Sequence, residues 1–268
     1  MGYDAYVRCN CITEGKTKPF RYSKYVKLYP EGLELELPEE LEKDHDLAFD
    51  MRDEFYDWEE SACEHEYMKY CSERIGNIAG MGWLRACIEW LGGEREFPVL
   101  ASQLPKSNDG FMPTEYNEQF REDLDKLIKQ QITVYQIVNT VDYEWSSDNH
   151  SSHLMPENKD VLLCENENTK LYSYNDVFRI EKNGEIVFQS SRFNVERIIN
   201  RRFIFKDRNQ KTEATIFFDL NFFTNHNKQK LSYKKETFYM QDELKYEYDV
   251  FMNLLKASKE TGNPICWS

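Results

Sequence analysis

Apolar and polar positions alternate over the first eleven residues, MGYDAYVRCNC, so Tyr3, Ala5, Val7, Cys9 and Cys11 share one face of an expected strand. LELEL at 33–37 alternates in the same way. Pro38 then opens an acidic stretch in which Phe55, Trp58, Ala62 and Met68 recur at roughly helical spacing, predicting a helix over 40–75. Residues 81–91 (MGWLRACIEWL) form a second amphipathic helix, stopped by Gly92-Gly93. Thr114 caps a third, which buries Phe120, Leu124, Leu127 and Ile128.

The period changes in the second half. Residues 132–145 are β-branched, and the polar run 146–159 is the best boundary along the chain. Short strands are expected at 161–164 and 171–174. A hairpin is expected at 178–181 and 185–189 around Asn183-Gly184, whose easy positive φ suits a tight turn. A second hairpin pairs 202–206 with 214–220. Residues 241–258 make a C-terminal helix with Leu244, Tyr248, Phe251 and Leu255 inward and Gly262 as terminator. The fold class is therefore α+β. A helix-rich region with short strands spans 1–145, an antiparallel β region closed by a C-terminal helix spans 160–268, and the two are expected to pack as one unit.

Composition supports a packed protein: 268 residues, 40% hydrophobic and 15% aromatic, exclude disorder for most of the chain. The formal net charge of −14 opposes nucleic-acid and anionic-membrane binding and favours a basic partner. No export signal or membrane span is seen, and seven cysteines read as reduced thiols, so the expected location is cytoplasmic.

MGYDAYVRCNC followed by EGKTKPF resembles the start of a group of bacterial proteins of unknown function. The likeness continues in ACEHEYMKYCSERIGN (62–77), FPVLASQLPKSNDG (97–110) and EIVFQSSRF (185–193). The resemblance implies a soluble bacterial protein and brings no activity with it.

Cys9, Cys11, Cys63 and His65 are the candidate metal ligands, since zinc takes such a set as a Cys3His tetrahedron. One objection is geometric. On a continuous helix Cys63 and His65 would lie roughly 200° apart, and Cys63, Tyr67 and Cys71 would instead form a buried stripe. The cluster turns on where that helix ends: a stop near Glu64 allows the metal, and a helix through Ile75 forbids it. A cysteine nucleophile is disfavoured, because the acidic surroundings of Cys63 suppress thiolate. Asp148, His150 and His153 read as a polar connector.

Glu54, Asp57, Glu60 and Glu64 share a helical face and are the candidate partner-binding residues. Arg197, Arg201, Arg202, Lys206 and Arg208, interleaved with Phe203 and Phe205, are explained by an amphipathic strand without RNA. No phosphate-binding glycine loop, nucleophile elbow or H-E-x-x-H occurs. The expected function is thus a non-catalytic cytoplasmic binding protein with an acidic surface for a basic protein partner, of immunity or inhibitor type, with no cofactor expected. The alternative is a zinc-binding protein or metal-dependent hydrolase built on the Cys3His set.

Overall fold

The computed structural model describes residues 2–139, 154–166, 168–199, 202–209, 212–217 and 228–268. It divides the chain into two units: 2–130 with 240–268, and 131–239. Both are described below by their own elements. All strand pairs among the described residues are antiparallel, and the protein mixes helices with sheets.

The first unit is organised around β1 (Gly2–Arg8), where Ala5 and Val7 are buried and Asp4 is exposed, as its alternation predicts. The helix α1 (His45–Ser61) starts at Asp44, whose carboxylate accepts from the Leu47 N–H at 3.2 Å. The strand β2 (Lys69–Asn77) pairs with β1 along its whole length. On the other edge of β1 lie Ile265–Trp267 and then Phe111–Met112. Asn77 caps α2 (Ile78–Trp90) by accepting from the Gly80 N–H at 2.8 Å.

The helix α3 (Asn117–Leu127) buries Phe120, Leu124 and Leu127 as expected, and also Asp123. That carboxylate accepts the N–H groups of Val99 and Leu100 at 2.9 and 3.0 Å, at the start of the helix Pro98–Gln103. It satisfies donors that a helix start otherwise leaves open. The C-terminal helix α4 (Lys245–Thr261) packs on β1 and β2, and Phe251 meets Phe120 edge-on at 5.3 Å. Gly262 ends it at φ +74°.

The second unit contains two sheets. One orders the strands Glu185–Ser190, Val177–Lys182, Thr169–Tyr174 and Asp160–Asn166. The other orders Glu213–Phe217, Arg202–Asp207, Arg192–Ile199, Lys228–Tyr239, Gln131–Asn139 and Leu154–Pro156. Leu171, Phe178, Ile180 and Phe188 from the first meet Phe193, Val195, Phe203 and Phe205 from the second in one apolar core. Phe178 stacks on Phe193 at 4.7 Å and on Phe205 at 5.3 Å. The Asn183-Gly184 hairpin forms as expected, with φ +52° and +85°.

Three expectations are corrected. The helix predicted over 40–75 stops at Ser61, and 69–77 is a strand, because its backbone pairs with β1. The division into 1–145 and 160–268 gives way to one at Gln130/Gln131 and Tyr239/Met240. The C-terminal helix expected to close the β region belongs to the first unit instead. The chain leaves that unit and re-enters it at one point, where the Met240 N–H donates to the Gln130 carbonyl at 3.1 Å.

Candidate metal centre

Cys9 follows directly on β1, and its N–H donates to the Met68 carbonyl at 2.8 Å, carrying the β1–β2 pairing past the strand ends. The chain then curls. Asn10 O accepts from Glu14 N at 2.9 Å, Ile12 O from Gly15 N at 3.2 Å, and Cys11 O from Lys16 N at 2.8 Å. Gly15 sits at φ +66°, where a side chain would strain this return. The turn leaves both Cys9 and Cys11 buried.

The other two side chains come from the stretch between α1 and β2. Ala62 closes the helix, and its carbonyl accepts from Lys18 N at 2.7 Å. Trp58 Nε1 donates to the Lys18 carbonyl at 2.9 Å, and its ring stacks on Phe20 at 4.9 Å. These contacts tie 16–20 to the end of α1. Since the helix is over by Ala62, Cys63 and His65 escape the 200° separation that a continuous helix imposes. The alternative stripe is dismantled by the same break: Tyr67 is exposed, and Cys71 lies on β2.

The return from His65 into β2 is tight. Tyr67 and Met68 hold φ at +50° and +52° with no glycine to ease it. Each such residue costs about 1–3 kcal/mol and persists only where its surroundings impose it. The sequence thus spends conformational energy at the place that turns Cys63 and His65 toward Cys9 and Cys11.

The ligand atoms of Cys9, Cys11, Cys63 and His65 all lie within 4.8 Å of one another, close enough to hold a metal ion. Cys9 Sγ is 3.7 Å from Cys63 Sγ, while His65 Nδ1 is 3.5 Å from Cys11 Sγ and 3.8 Å from Cys63 Sγ. Beneath them lies a small apolar cluster of Leu33, Phe55, Ala62 and Met68, flanked by Phe20, Val26 and Trp58.

Burial raises the Cys9 thiol, although a hydrogen bond from the Cys11 backbone favours its thiolate. Cys11 is pushed up to about 12, by burial first and then by the neighbouring thiols. Without a cation these thiols hold their protons at neutral pH; a bound dication inverts that preference by stabilising thiolate directly. Arg8, the residue before Cys9, adds a positive group. Burial lowers its pKa, the Glu59 carboxylate favours its charge, and its buried Nη1 has no hydrogen-bond partner. Three thiolates and a dication leave one net negative charge, which a nearby guanidinium complements.

The four candidate partner-binding acids differ in setting. Glu54 is half-buried and paired with Arg21, whereas Asp57, Glu60 and Glu64 are exposed. Glu60 is also the main cause of the raised Tyr67 phenol, ahead of burial and Glu66. Asp148, His150 and His153 lie outside the described residues. Phe203 and Phe205 are enclosed in the second unit's core, so they offer no stacking platform.

Arg8, the Trp58–Lys18 tie and the strained Tyr67–Met68 turn carry no sequence signal of their own. The visible signals were the Cys-x-Cys pair at a strand end and Cys63-x-His65. Among the described residues, no helix is long and apolar enough to cross a membrane. No family model matches the chain, and neither does any curated protein or solved structure.

Proposed function

We propose that this chain is a non-catalytic cytoplasmic binding protein of bacterial type whose N-terminal region is held by structural zinc on Cys9, Cys11, Cys63 and His65. The spacing of the four donors carries the reading. Zinc bonds of ~2.3 Å to sulfur and ~2.0–2.1 Å to nitrogen, at tetrahedral angles, set sulfur–sulfur edges of about 3.8 Å and sulfur–nitrogen edges of about 3.6 Å. Three of the six edges fall there, 3.7 Å for Cys9–Cys63 and 3.5 and 3.8 Å from His65 to Cys11 and Cys63, and all six are within 4.8 Å. Soft thiolates with one imidazole favour zinc over magnesium or calcium, which prefer oxygen.

Four protein donors fill a tetrahedron and leave no position for water, which supports a structural role over hydrolysis. Elemental analysis after purification without chelators tests this reading. One zinc per chain is expected, and less than about half an equivalent would overturn it.

A second observation favours a basic protein partner. Phe49 and Tyr56, seven residues apart on α1, are 65% and 60% exposed. That spacing puts them on one stripe, beside exposed Asp46, Asp50, Asp53, Asp57 and Glu60. Aromatic anchors beside like charge suit a partner surface rich in Lys and Arg, of the kind an immunity or inhibitor protein engages. Pull-down from the native host should recover a partner that wild type retains at low salt, Phe49→Ala/Tyr56→Ala loses, and high salt releases. Retention indifferent to both changes would sink this part.

A further inference from the structure

The second unit contains a concavity of about 370 Å³ lined by Asp176, Ser191, Arg192, Arg208, Ser232 and Tyr233. That volume is within the range of small-molecule sites, ~300–1,000 Å³. The backbone builds it. Arg192 opens the strand Arg192–Ile199 and pairs in register with Ser232. Arg208 follows the neighbouring strand Arg202–Asp207, and its N–H donates to the Arg192 carbonyl at 2.9 Å. Two guanidinium groups are thereby drawn to one rim.

Both are braced. Ser190 Oγ accepts from the Arg192 N–H at 3.0 Å and donates to the Arg192 carbonyl at 2.9 Å. Arg208 Nε donates to Asn194 Oδ1 at 3.2 Å, which orients its guanidinium. The Tyr233 hydroxyl, 2.7 Å from Ser173 Oγ, is anchored to the buried Ser173. With two cations and one carboxylate among the six lining residues, the balance is positive in a protein whose net charge is −14. Arg208 is lowered by burial and then by Arg192, the cost of placing like charges together. An oxyanion between them would remove that cost and match the planar fork of arginine.

We propose that this concavity binds a small hydroxylated phosphate monoester. Its phosphoryl oxygens would lie on Arg192, Arg208 and the hydroxyls of Ser191 and Ser232, and Asp176 would accept from a ligand hydroxyl. The carboxylate distinguishes this ligand from a bare oxyanion, which it would repel.

The full-length protein is titrated with inorganic phosphate, glycerol 3-phosphate and chloride at constant ionic strength, followed by calorimetry and by amide chemical shifts. Saturable phosphate binding is expected in the millimolar range, with glycerol 3-phosphate several-fold tighter and chloride silent. Arg192→Gln and Arg208→Gln should each weaken phosphate at least tenfold while Lys182→Gln, an exposed cation outside the concavity, leaves it unchanged. Far-UV circular dichroism confirms that each variant is folded, and Arg192→Lys provides a milder change with a smaller expected loss. Asp176→Asn should tighten inorganic phosphate and abolish the preference for glycerol 3-phosphate. The proposal is overturned if phosphate does no more than chloride, or if Lys182→Gln weakens binding as much as the arginine variants. An Asp176→Asn protein that keeps its preference would remove the hydroxyl from the assignment.

Discussion

The two units solve the same problem with different materials. The second unit encloses its core between two sheets, with Phe178, Phe188, Phe193 and Phe205 in mutual ring contact. The corner of the first unit formed by residues 9–35 and 55–68 has a much thinner apolar cluster, two short strands and several turns. Close-packed aromatics supply cohesion wherever enough apolar surface can be gathered. A corner that cannot gather it needs a staple, and the four donors of the Cys3His group stand where that staple belongs.

The largest test of this contrast is metal removal. Structural zinc binding carries about 10–16 kcal/mol in small zinc modules, much of it coupled to folding. Chelation, or Cys63→Ala, is therefore expected to abolish hydrogen-exchange protection across 9–20 and 62–68 while 171–216 keeps its own. Equal loss in both segments would erase the distinction between the units. Phe178→Ala is the reverse experiment. Deleting this fully buried ring should cost about 3–5 kcal/mol in the denaturation of the second unit and leave the zinc content unchanged.

A pH series sharpens the contrast further. In metal-free protein Cys11 is raised from its usual 9.0 to about 12, so the folded state holds a proton that the unfolded chain releases. The stability tied to that proton is fully present below pH 9 and is lost as pH rises toward 12. The slope is about 1.4 kcal/mol per pH unit for one group. Cys11→Ala should flatten that loss in chelated protein, measured by urea denaturation. Zinc should reverse the dependence, since protons then compete with the ion and destabilise the holo form as pH falls. The smallest expected effect is at Tyr67, whose φ of +50° suits glycine. Tyr67→Gly should stabilise metal-free protein by roughly 1 kcal/mol, since the exposed ring gives up little packing, read as a higher urea midpoint.

Local chemistry was legible wherever local chemistry decided the structure. Asn183-Gly184 marked its hairpin, Gly92-Gly93 the end of α2, and Gly262 the end of α4. The segment 62–77 was not legible, because its residues tolerate a helix and place Cys63, Tyr67 and Cys71 at helical spacing. Its strand is fixed by a partner some seventy residues earlier, and only Ile75 of β2 is fully buried, so alternation left little trace. The candidate site inherited that ambiguity: its four residue types were visible, but their convergence depended on one helix end. Asp123 is a similar case, since a buried carboxylate on an amphipathic helix looks like an error until the N–H groups it caps are seen.

The hydrogen bond between Met240 and Gln130 has a consequence for the architecture of the gene. Residues 131–239 enter and leave through a gap one hydrogen bond wide, the topology expected when one coding segment is spliced into a surface turn of another. Such a cassette is removable in principle: roughly two to four glycines would reseal the host at little entropic cost. The shortened chain would retain every donor of the Cys3His group, and the excised segment would take the arginine-lined concavity with it.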